Sequence, residues 1–533
     1  MEESGIETRR LWYDAYLSLP KSASIEMDGQ VLHAIAAVYS GEARDLRGEL
    51  CYCPEFDLSR SSEREKAEWR AAVNGKMILT YNGEASFAKQ AHDAHALAVI
   101  LAQSSKEEVI HHASIGTVWG TPGLADVAEF PYIPYVAVNN AIGDVLLSAA
   151  TKGKKQASLT IEMDNSIKRS SMPVATIRGK SEKFVLVSAH YDSWYEGITD
   201  NAVSDAILIE FARVFQEFRD KLDRSIVFCW WSGHSDGRFA GSTWYCDHHW
   251  EELSKNCVAH VNIDLAGCKN ADQVRARTTL MEGAAFTGDL IARYTGFPAK
   301  PFIPMIRGAD QSFWGVGIPI TIMLKYEPLP ENCDFLCPSG GVWWHTDQDS
   351  LDKMDLGITL RDALMNAEMI SRILNCRHLP VDIPGFVAMM RTVLRKLEGD
   401  IGDNLVFAPV FDKLTCLEKG LASLFSSPRF EREETDPILK SIAGELVRLM
   451  YSYGGPYGHD RAVFVKPFPW LCKAVEQIKN GRDGDVILFA RTDLVRQRNR
   501  LSGQLEKLIM AIDCQLLCWK TGARPLAAAN ERE

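Results

Sequence analysis

Five short stretches between Val185 and Asp355 place histidines and aspartates where a pair of cations could be held. They are His190-Tyr-Asp192, Asp200-Asn-Ala, Gly233-His-Ser-Asp-Gly237, Asn262-Ile-Asp264 and Trp344-His-Thr-Asp347. Imidazole nitrogens and carboxylate oxygens are a ligand mix that zinc accepts. Two cations a few ångström apart, sharing a bridging carboxylate and a water, generate hydroxide at neutral pH and so cleave stable bonds. On this reading His190, Asp200, Asp264 and His345 are ligands, with Asp200 placed to bridge. Asp192, two residues beyond His190 on an extended segment, can orient a ligating imidazole. Singly, each has a plainer account: a surface pair for His190 and Asp192, a helix N-cap for Asp200, a turn residue for Asp264. As a set they carry more weight, because most follow an apolar run of strand type: FVLVSAH, SIVFCWW, CVAHVNID. The carboxyl ends of strands in an open α/β sheet are where ligand groups converge.

The elements that must position these residues alternate. VATIRG, KFVLVSAHYD, RSIVFCWWSG, CVAHVNIDLAG and PITIML read as strands. DAILIEFARVFQEF, GSTWYCDHHWEEL, GDLIARYTG and DLGITLRDALMNAEMISRIL read as helices between and after them. That alternation predicts a mostly parallel sheet sandwiched by helices. Before it, GKMILTYNG through QASLTIEM alternates strand, helix, strand, helix, strand, a second small α/β unit without clustered chemistry-bearing residues. Residues 1–45 hold a predicted helix, RRLWYDAYLSL, and a strand-like QVLHAIAAVYS. Beyond His378 the apolar spacing is helical throughout, and the last residues, RPLAAANERE, are expected to fray.

Bulk properties narrow the class. At 533 residues the chain exceeds one core. A net charge of −11 with dispersed Lys and Arg argues against a nucleic-acid surface. No run approaches a membrane span, and the amino terminus lacks the pattern of a secretory signal. Thirteen dispersed cysteines suit buried free thiols in a reducing cytoplasm, and Cys51/Cys53 and Cys333/Cys337 lack a second pair at zinc-ribbon spacing.

Several segments resemble the co-catalytic zinc aminopeptidases, the family that includes aminopeptidase Y, glutamate carboxypeptidase and the transferrin receptor. HYDSWYEGITDNA is similar to the family's His-x-Asp-Ser-Trp…Asp segment, and FAGSTWY to its Leu-x-Gly-Ser stretch. RGADQSFWGVGIPI resembles its Ser-Asp-x-x-x-Phe…Gly-Ile-Pro loop, and WWHTDQDSLDKMD its Tyr-His-Thr…Asp-Lys ending. The resemblance implies an α/β, zinc exopeptidase-like catalytic domain over 1–45 and 166–378. It also implies an inserted protease-associated domain over 46–165 and a helical dimerisation-like domain over 379–533. Carried over, His190 and Asp264 bind one metal, Asp200 bridges, His345 binds the second, and Asp192 orients His190. Trp194, Arg307, Asp310, Trp343 and Trp344 would line the substrate pocket, with Arg307 and Arg238 each able to hold a substrate carboxylate.

One part departs from the family. Two adjacent glutamates, a water-activating base and a metal ligand, should precede the Gly-Ser, but this chain reads Trp231-Ser-Gly-His234-Ser235-Asp236-Gly237-Arg238-Phe-Ala-Gly241-Ser242. Counting back from Gly241-Ser242 puts Ser235 at the base and Asp236 at the ligand, the preferred alignment. Aligning on Gly237 puts His234 at the base and Ser235 at the ligand. A third alternative makes His234 a ligand, with Glu196 or Asp310 as base. Serine cannot act as a general base at neutral pH, whereas histidine can.

The leading expectation is a cytoplasmic dinuclear hydrolase of amide bonds, an aminopeptidase or small-peptide or N-acyl amino acid amidase. It would use two divalent ions, zinc first, with manganese or cobalt as alternatives, and form a homodimer through the helical tail. The contrasting expectation is a catalytically impaired, metal-binding interaction protein.

Overall fold

The strand-type runs that precede the candidate ligands form the centre of one large sheet. In a computed structural model, Ile320–Glu327, Cys257–Asn262, Ser181–His190 and Arg224–Trp231 lie side by side in that order, all parallel. The structure describes every residue except 1–4, 55–60, 62, 104–107, 154, 280, 299–302, 305–306, 330–340, 403–406, 433, 464–465, 481–483 and 524–533. Cys333, Cys337 and the terminal RPLAAANERE therefore lie outside the described residues.

Alternate side chains of the central strands enter two different cores. Val185, Val187, Ile226 and Phe228 join one, while Leu186, Val227, Cys229 and Trp231 join the other. Val203–Glu217 and Leu356–Asn375 cover the first face, and Ala240–His248 with Trp250–Asn256 covers the second. A strand buried on both faces must be apolar throughout, which is why these runs are continuous rather than alternating. Antiparallel strands flank the parallel centre and make the sheet mixed. Gln273–Thr278 pairs with Ile320–Glu327, and Gln156–Ile177 with Arg224–Trp231.

The helix expected over RRLWYDAYLSL is not formed. Those residues belong to the strand Glu7–Met27, paired antiparallel with Gln156–Ile177 from Glu7↔Thr176 to Glu26↔Ser158. Tyr13 and Ala15 are buried, while Trp12 and Asp14, which alternate with them, are exposed, so the working period is two. The stretch is too short to separate the two periods by itself, and the partner strand decides. QASLTIEM and VATIRG, expected as two strands, are opposite ends of the single strand Gln156–Ile177.

This long pair carries the sheet into the smaller unit, where Ala43–Tyr52, Met77–Thr80, Ala98–Ala102 and Tyr135–Val138 run parallel. Residues 35–45, expected with the larger unit, pair and pack here instead. Ile35–Ala36 bonds to the strand Tyr135–Val138, and Val38 and Tyr39 lie in the smaller unit's core. The helix Asn140–Lys152 starts at Asn139, whose side chain accepts from the Ile142 N–H, and stops at Gly153.

The carboxyl-terminal region is helical, as expected, with Ile383–Ile401, Ala408–Phe425, Asp436–Tyr451, Pro469–Asn480 and Gly484–Thr521. Its apolar faces continue the core of the sheet, since Phe386, Leu414 and Leu439 cluster with Val185 and Phe228. Arg224 fastens the joint: its Nε and a terminal nitrogen donate to Asp436 Oδ2 at 2.8 and 2.6 Å, and its other nitrogen donates to the Ile373 and Cys376 carbonyls. Among the described residues, no helix is long and apolar enough to cross a membrane.

Candidate active site

The strand order reverses at Ser181–His190. The next strand along the chain, Arg224–Trp231, lies on one side of it and Cys257–Asn262 on the other. Such a switch point opens a crevice beyond the carboxyl ends of the strands. His190 ends one lip, and Asp264 follows the other.

Asp200 stands between two imidazoles. Its Oδ1 lies 3.0 Å from His190 Nε2, and its Oδ2 lies 3.1 Å from His345 Nε2. Asp264 Oδ1 is 3.6 Å from the same His190 nitrogen. Ligands of one tetrahedral zinc, each about 2.0–2.2 Å from the ion, stand roughly 3.3–3.6 Å apart, so the Asp264–His190 gap has the span of a coordination edge and the two Asp200 gaps are slightly shorter. His190 Nε2 and Asp264 Oδ1 are buried, and neither has a hydrogen-bond partner among the described residues. Buried polar atoms without partners are costly, and one cation between them would satisfy both.

The outer nitrogens explain the orientation. His190 Nδ1 lies 2.9 Å from the Asp192 carbonyl, and His345 Nδ1 lies 2.9 Å from the His112 carbonyl. With Nδ1 donating, each Nε2 turns a lone pair toward carboxylates, an arrangement that needs a proton or a cation between them. At His190 a proton serves. Burial opposes the charge on His190, but Asp200 and Asp264 hold its pKa well above the usual imidazole value. Burial likewise opposes ionisation of Asp200, yet His190 and His345 keep its carboxyl well below the usual range.

The loop carrying Asp200 is fixed from behind. Asp349 accepts from the Thr199 N–H and hydroxyl through Oδ1 and from the Asp200 N–H through Oδ2. Asn201 bridges to the second lip, donating to the Ile263 carbonyl and accepting from the Leu265 N–H.

The departing segment resolves differently from the preferred alignment. His234, not Asp236, joins the crevice: single ligand atoms of His190, His234 and Asp264 all lie within 4.8 Å of one another. Its ring stacks on His190 with centroids 3.7 Å apart, and its Nδ1 lies 2.6 Å from Asp310 Oδ2. Among the described residues Asp236 belongs to no such group, and burial followed by the nearby Asp192 pushes its carboxyl up to about 7. The tight turn is the reason. Gly233 has φ +68, and a Cβ on Gly237 would stand 2.7 Å from the Gly233 carbonyl, so the chain doubles back before Asp236 can face the crevice. The expected orienting role of the Asp192 side chain is also overturned. Its backbone carbonyl orients His190, while its carboxylate accepts from the His234 and Ser235 N–H groups at 3.1 and 2.9 Å and shapes that turn. Ser235 is thus held by its backbone, and a hydroxyl there is no base.

Asp310, expected in the substrate pocket, is fully buried and committed to positioning: beside His234, it accepts from Ser242 Oγ at 2.7 Å. Burial opposes its ionisation, but His234 and its hydrogen bonds hold the carboxyl below the usual range. Arg307 is likewise removed from substrate binding. It is buried, paired with Asp460 at 3.2 Å and stacked 4.0 Å over Trp119. Arg238 remains available in part. It donates to the Ala462 carbonyl, its Nε has no hydrogen-bond partner among the described residues, and it lines a cavity of about 460 Å³ together with Trp344, His345 and His112. Trp344 stacks on His345 at 3.4 Å, and Trp194 stands edge-on to it at 6.0 Å. Glu196 is exposed.

The smaller unit, in which no chemistry was expected, reaches the site through His111 and His112. His112 supplies the carbonyl that orients His345, and its ring stacks on Trp194 at 4.3 Å. Burial, and next His345, push its pKa down to about 4, so it is neutral. The available signal was a histidine pair shortly after the apolar strand AVILA. Asp349 was the other omission, visible only as one more aspartate in a loop of several.

Comparison with known proteins matches the part of the chain that carries these residues. Residues 174–369 match the profile of peptidase family M28. Aminopeptidase NAALADL1 of Rattus norvegicus is 30% identical over 377 residues, covering 60% of this chain and 50% of the relative. Its counterpart in Mus musculus is 22% identical over 374 residues, with the same coverage. The chain thus spans about half the length of the curated relatives it matches. A zinc aminopeptidase from Bacillus subtilis superposes with a TM-score of 0.55 at 19% identity, covering 72% of this chain and 89% of the other, which shows a shared fold. The similarity to peptidase family M28 therefore lies in residues 174–369, the segment that carries His190, Asp200, Asp264 and His345.

Proposed function

We propose that this chain is a dinuclear metal-dependent hydrolase of amide bonds, an aminopeptidase or an amidase of small peptides or N-acyl amino acids. The observation that carries this reading is the placement of Asp200, one oxygen toward His190 and the other toward His345, beside two buried atoms that lack hydrogen-bond partners. His190, Asp264 and His234 would hold one divalent ion and His345 the other, with Asp200 between them. The pair would polarise the scissile carbonyl and supply hydroxide at neutral pH, zinc suiting the donor set, with manganese or cobalt as alternatives.

The chain's own residues do the rest. Asp310 fixes His234 Nδ1 and so aims Nε2 at the crevice, a carboxylate–histidine–metal arrangement in place of a glutamate ligand. Arg238 offers the guanidinium face that would hold a substrate carboxylate in the cavity shared with His345. Trp344 walls the same cavity, and Trp194 packs against His345 and His112. Without a glutamate base, turnover should fall about 10²–10⁴-fold below that of a complete site. We also propose residence in the cytoplasm. Residues 46–165 would form the protease-associated insert, and a homodimer would cover Leu488, Phe489, Met510 and Leu517, exposed on the last helix.

A second reading, a metal-binding interaction protein without turnover, draws on Ser235, whose hydroxyl cannot replace the missing base. One experiment separates the two. Purified protein should carry about two ions per chain and release amine from aminoacyl-anilide or N-acyl substrates, with both properties lost to chelation. Stoichiometric metal without turnover on a broad peptide and N-acyl panel supports the second reading, and absence of metal overturns both.

A further inference from the structure

A second cluster of metal-ligating side chains lies away from the crevice. Cys246 and Asp247, on the helix Ala240–His248, meet His459 from the segment between Asp436–Tyr451 and Pro469–Asn480. One ligand atom of each lies within 4.8 Å of the other two. We propose that Cys246, Asp247 and His459 form a separate site for a thiophilic divalent cation of the zinc class, clamping the 452–462 segment onto the catalytic region.

The ligand chemistry fits. Thiolate, imidazole and carboxylate are all accepted by zinc, at about 2.3 Å for sulfur and 2.0–2.2 Å for nitrogen or oxygen. His459 Nε2 already lies 2.8 Å from Asp247 Oδ1. Cys246 is the independent pointer: 3% exposed, it is a free thiol for which no hydrogen bond is found among the described residues, at the inner corner of the cluster. Burial and the adjacent Asp247 hold its pKa far above the ordinary thiol value, which makes it inert as a nucleophile. A bound cation reverses that balance by taking up the thiolate directly. The route in is open, because Asp247 and His459 line a cavity of about 770 Å³ that also exposes His248 and His249. Three protein ligands leave a fourth position facing that cavity, for water.

Binding balances simply. The Cys246 thiol releases one proton to solvent as the sulfur–metal bond forms. The His459 proton moves from Nε2 to Nδ1, so that Nε2 gives up its bond to Asp247 and ligates. The consequence is mechanical. The clamped segment carries Asp460, which pairs with Arg307 and accepts from the Tyr453 and Gly454 N–H groups. It also carries the Ala462 carbonyl to which Arg238 donates. A cation at His459 therefore steadies one wall of the cavity that holds Arg238.

Cobalt(II) tests this without interference from the crevice, whose ligands are nitrogen and oxygen only. The metal-free full chain titrated with cobalt should develop the near-ultraviolet charge-transfer band of thiolate–cobalt, saturating at one cobalt–thiolate site per chain. The band should be absent in Cys246→Ser, weaken at least tenfold in cobalt affinity in His459→Gln, and persist in His345→Ala. His459→Gln changes a residue near the surface and keeps the test valid should Cys246→Ser fail to fold. A chain saturated with cobalt that shows no thiolate band overturns the site, as does a band that survives either Cys246→Ser or His459→Gln unchanged.

Discussion

Two buried polar assemblies of this chain look alike in composition and differ in what they leave over. At the joint between sheet and helical region, Arg224 meets Asp436, and its remaining donors go to the Ile373 and Cys376 carbonyls. Positive and negative charge are both supplied by the protein, so the joint is balanced in charge although Asp436 Oδ1 finds no hydrogen-bond partner among the described residues. At the crevice, Asp200 and Asp264 face imidazoles whose outer nitrogens are already spoken for, and His190 Nε2 and Asp264 Oδ1 find no partner. Here the chain's own positive charge is the proton on His190, set against the carboxyl groups of both Asp200 and Asp264. A buried charge cluster that is neutral within itself is architecture, whereas one with a deficit of positive charge around unsatisfied atoms is built for a cation.

The sharpest way to break that contrast is at the crevice. His345→Ala should remove turnover and about one of the two ions per chain, measured by elemental analysis and anilide hydrolysis. Full metal content in this variant would show that the crevice is no dinuclear site. At the joint the opposite signature is expected. Asp436→Ala leaves Arg224 buried without its partner, and should cost about 3–5 kcal/mol of unfolding free energy in urea. The folded fraction should keep its full metal content, and a parallel loss of metal would dissolve the distinction between the two regions.

Smaller effects sharpen the comparison. Asp310→Asn keeps the shape but weakens the hold on His234, and should lower metal affinity about 10–100-fold in a chelator competition, with little change in thermal unfolding. Unchanged affinity would remove His234 from the ligand set. Lys440, on the helix Asp436–Tyr451, donates to the Leu253 carbonyl, and burial lowers its pKa to about 8 from 10.5. The folded chain then sheds this proton before the unfolded chain does, so the contribution of Lys440 makes stability rise with pH between about 8 and 10.5. Lys440→Met should flatten that rise, and an equal slope in both proteins would refute the assignment.

Much of the site was legible because its residues sit where a short sequence pattern meets a strand end. His190, Asp200, Asp264 and His345 follow apolar runs or flank glycine and tryptophan loops, and the structure brings all four together. His111 and His112 were overlooked because they belong to a different unit, joined to the crevice only through space. Arg307 was misassigned since a guanidinium in sequence gives no sign that Asp460, 153 positions later, will claim it. RRLWYDAYLSL misled for a local reason: apolar residues at both helical and strand spacing, with the choice left to the partner Gln156–Ile177.

The sequence by itself determined the alternating strands and helices, the helical tail and the ligand types at strand ends, because burial on both faces demands continuous apolar runs and metal chemistry demands particular atoms. The tertiary structure alone decided which of His234, Ser235 and Asp236 faces the crevice. That choice depends on how a glycine-bounded turn closes on Asp192 and on Asp310 reaching His234 from another loop, and such contacts leave no periodicity in the chain.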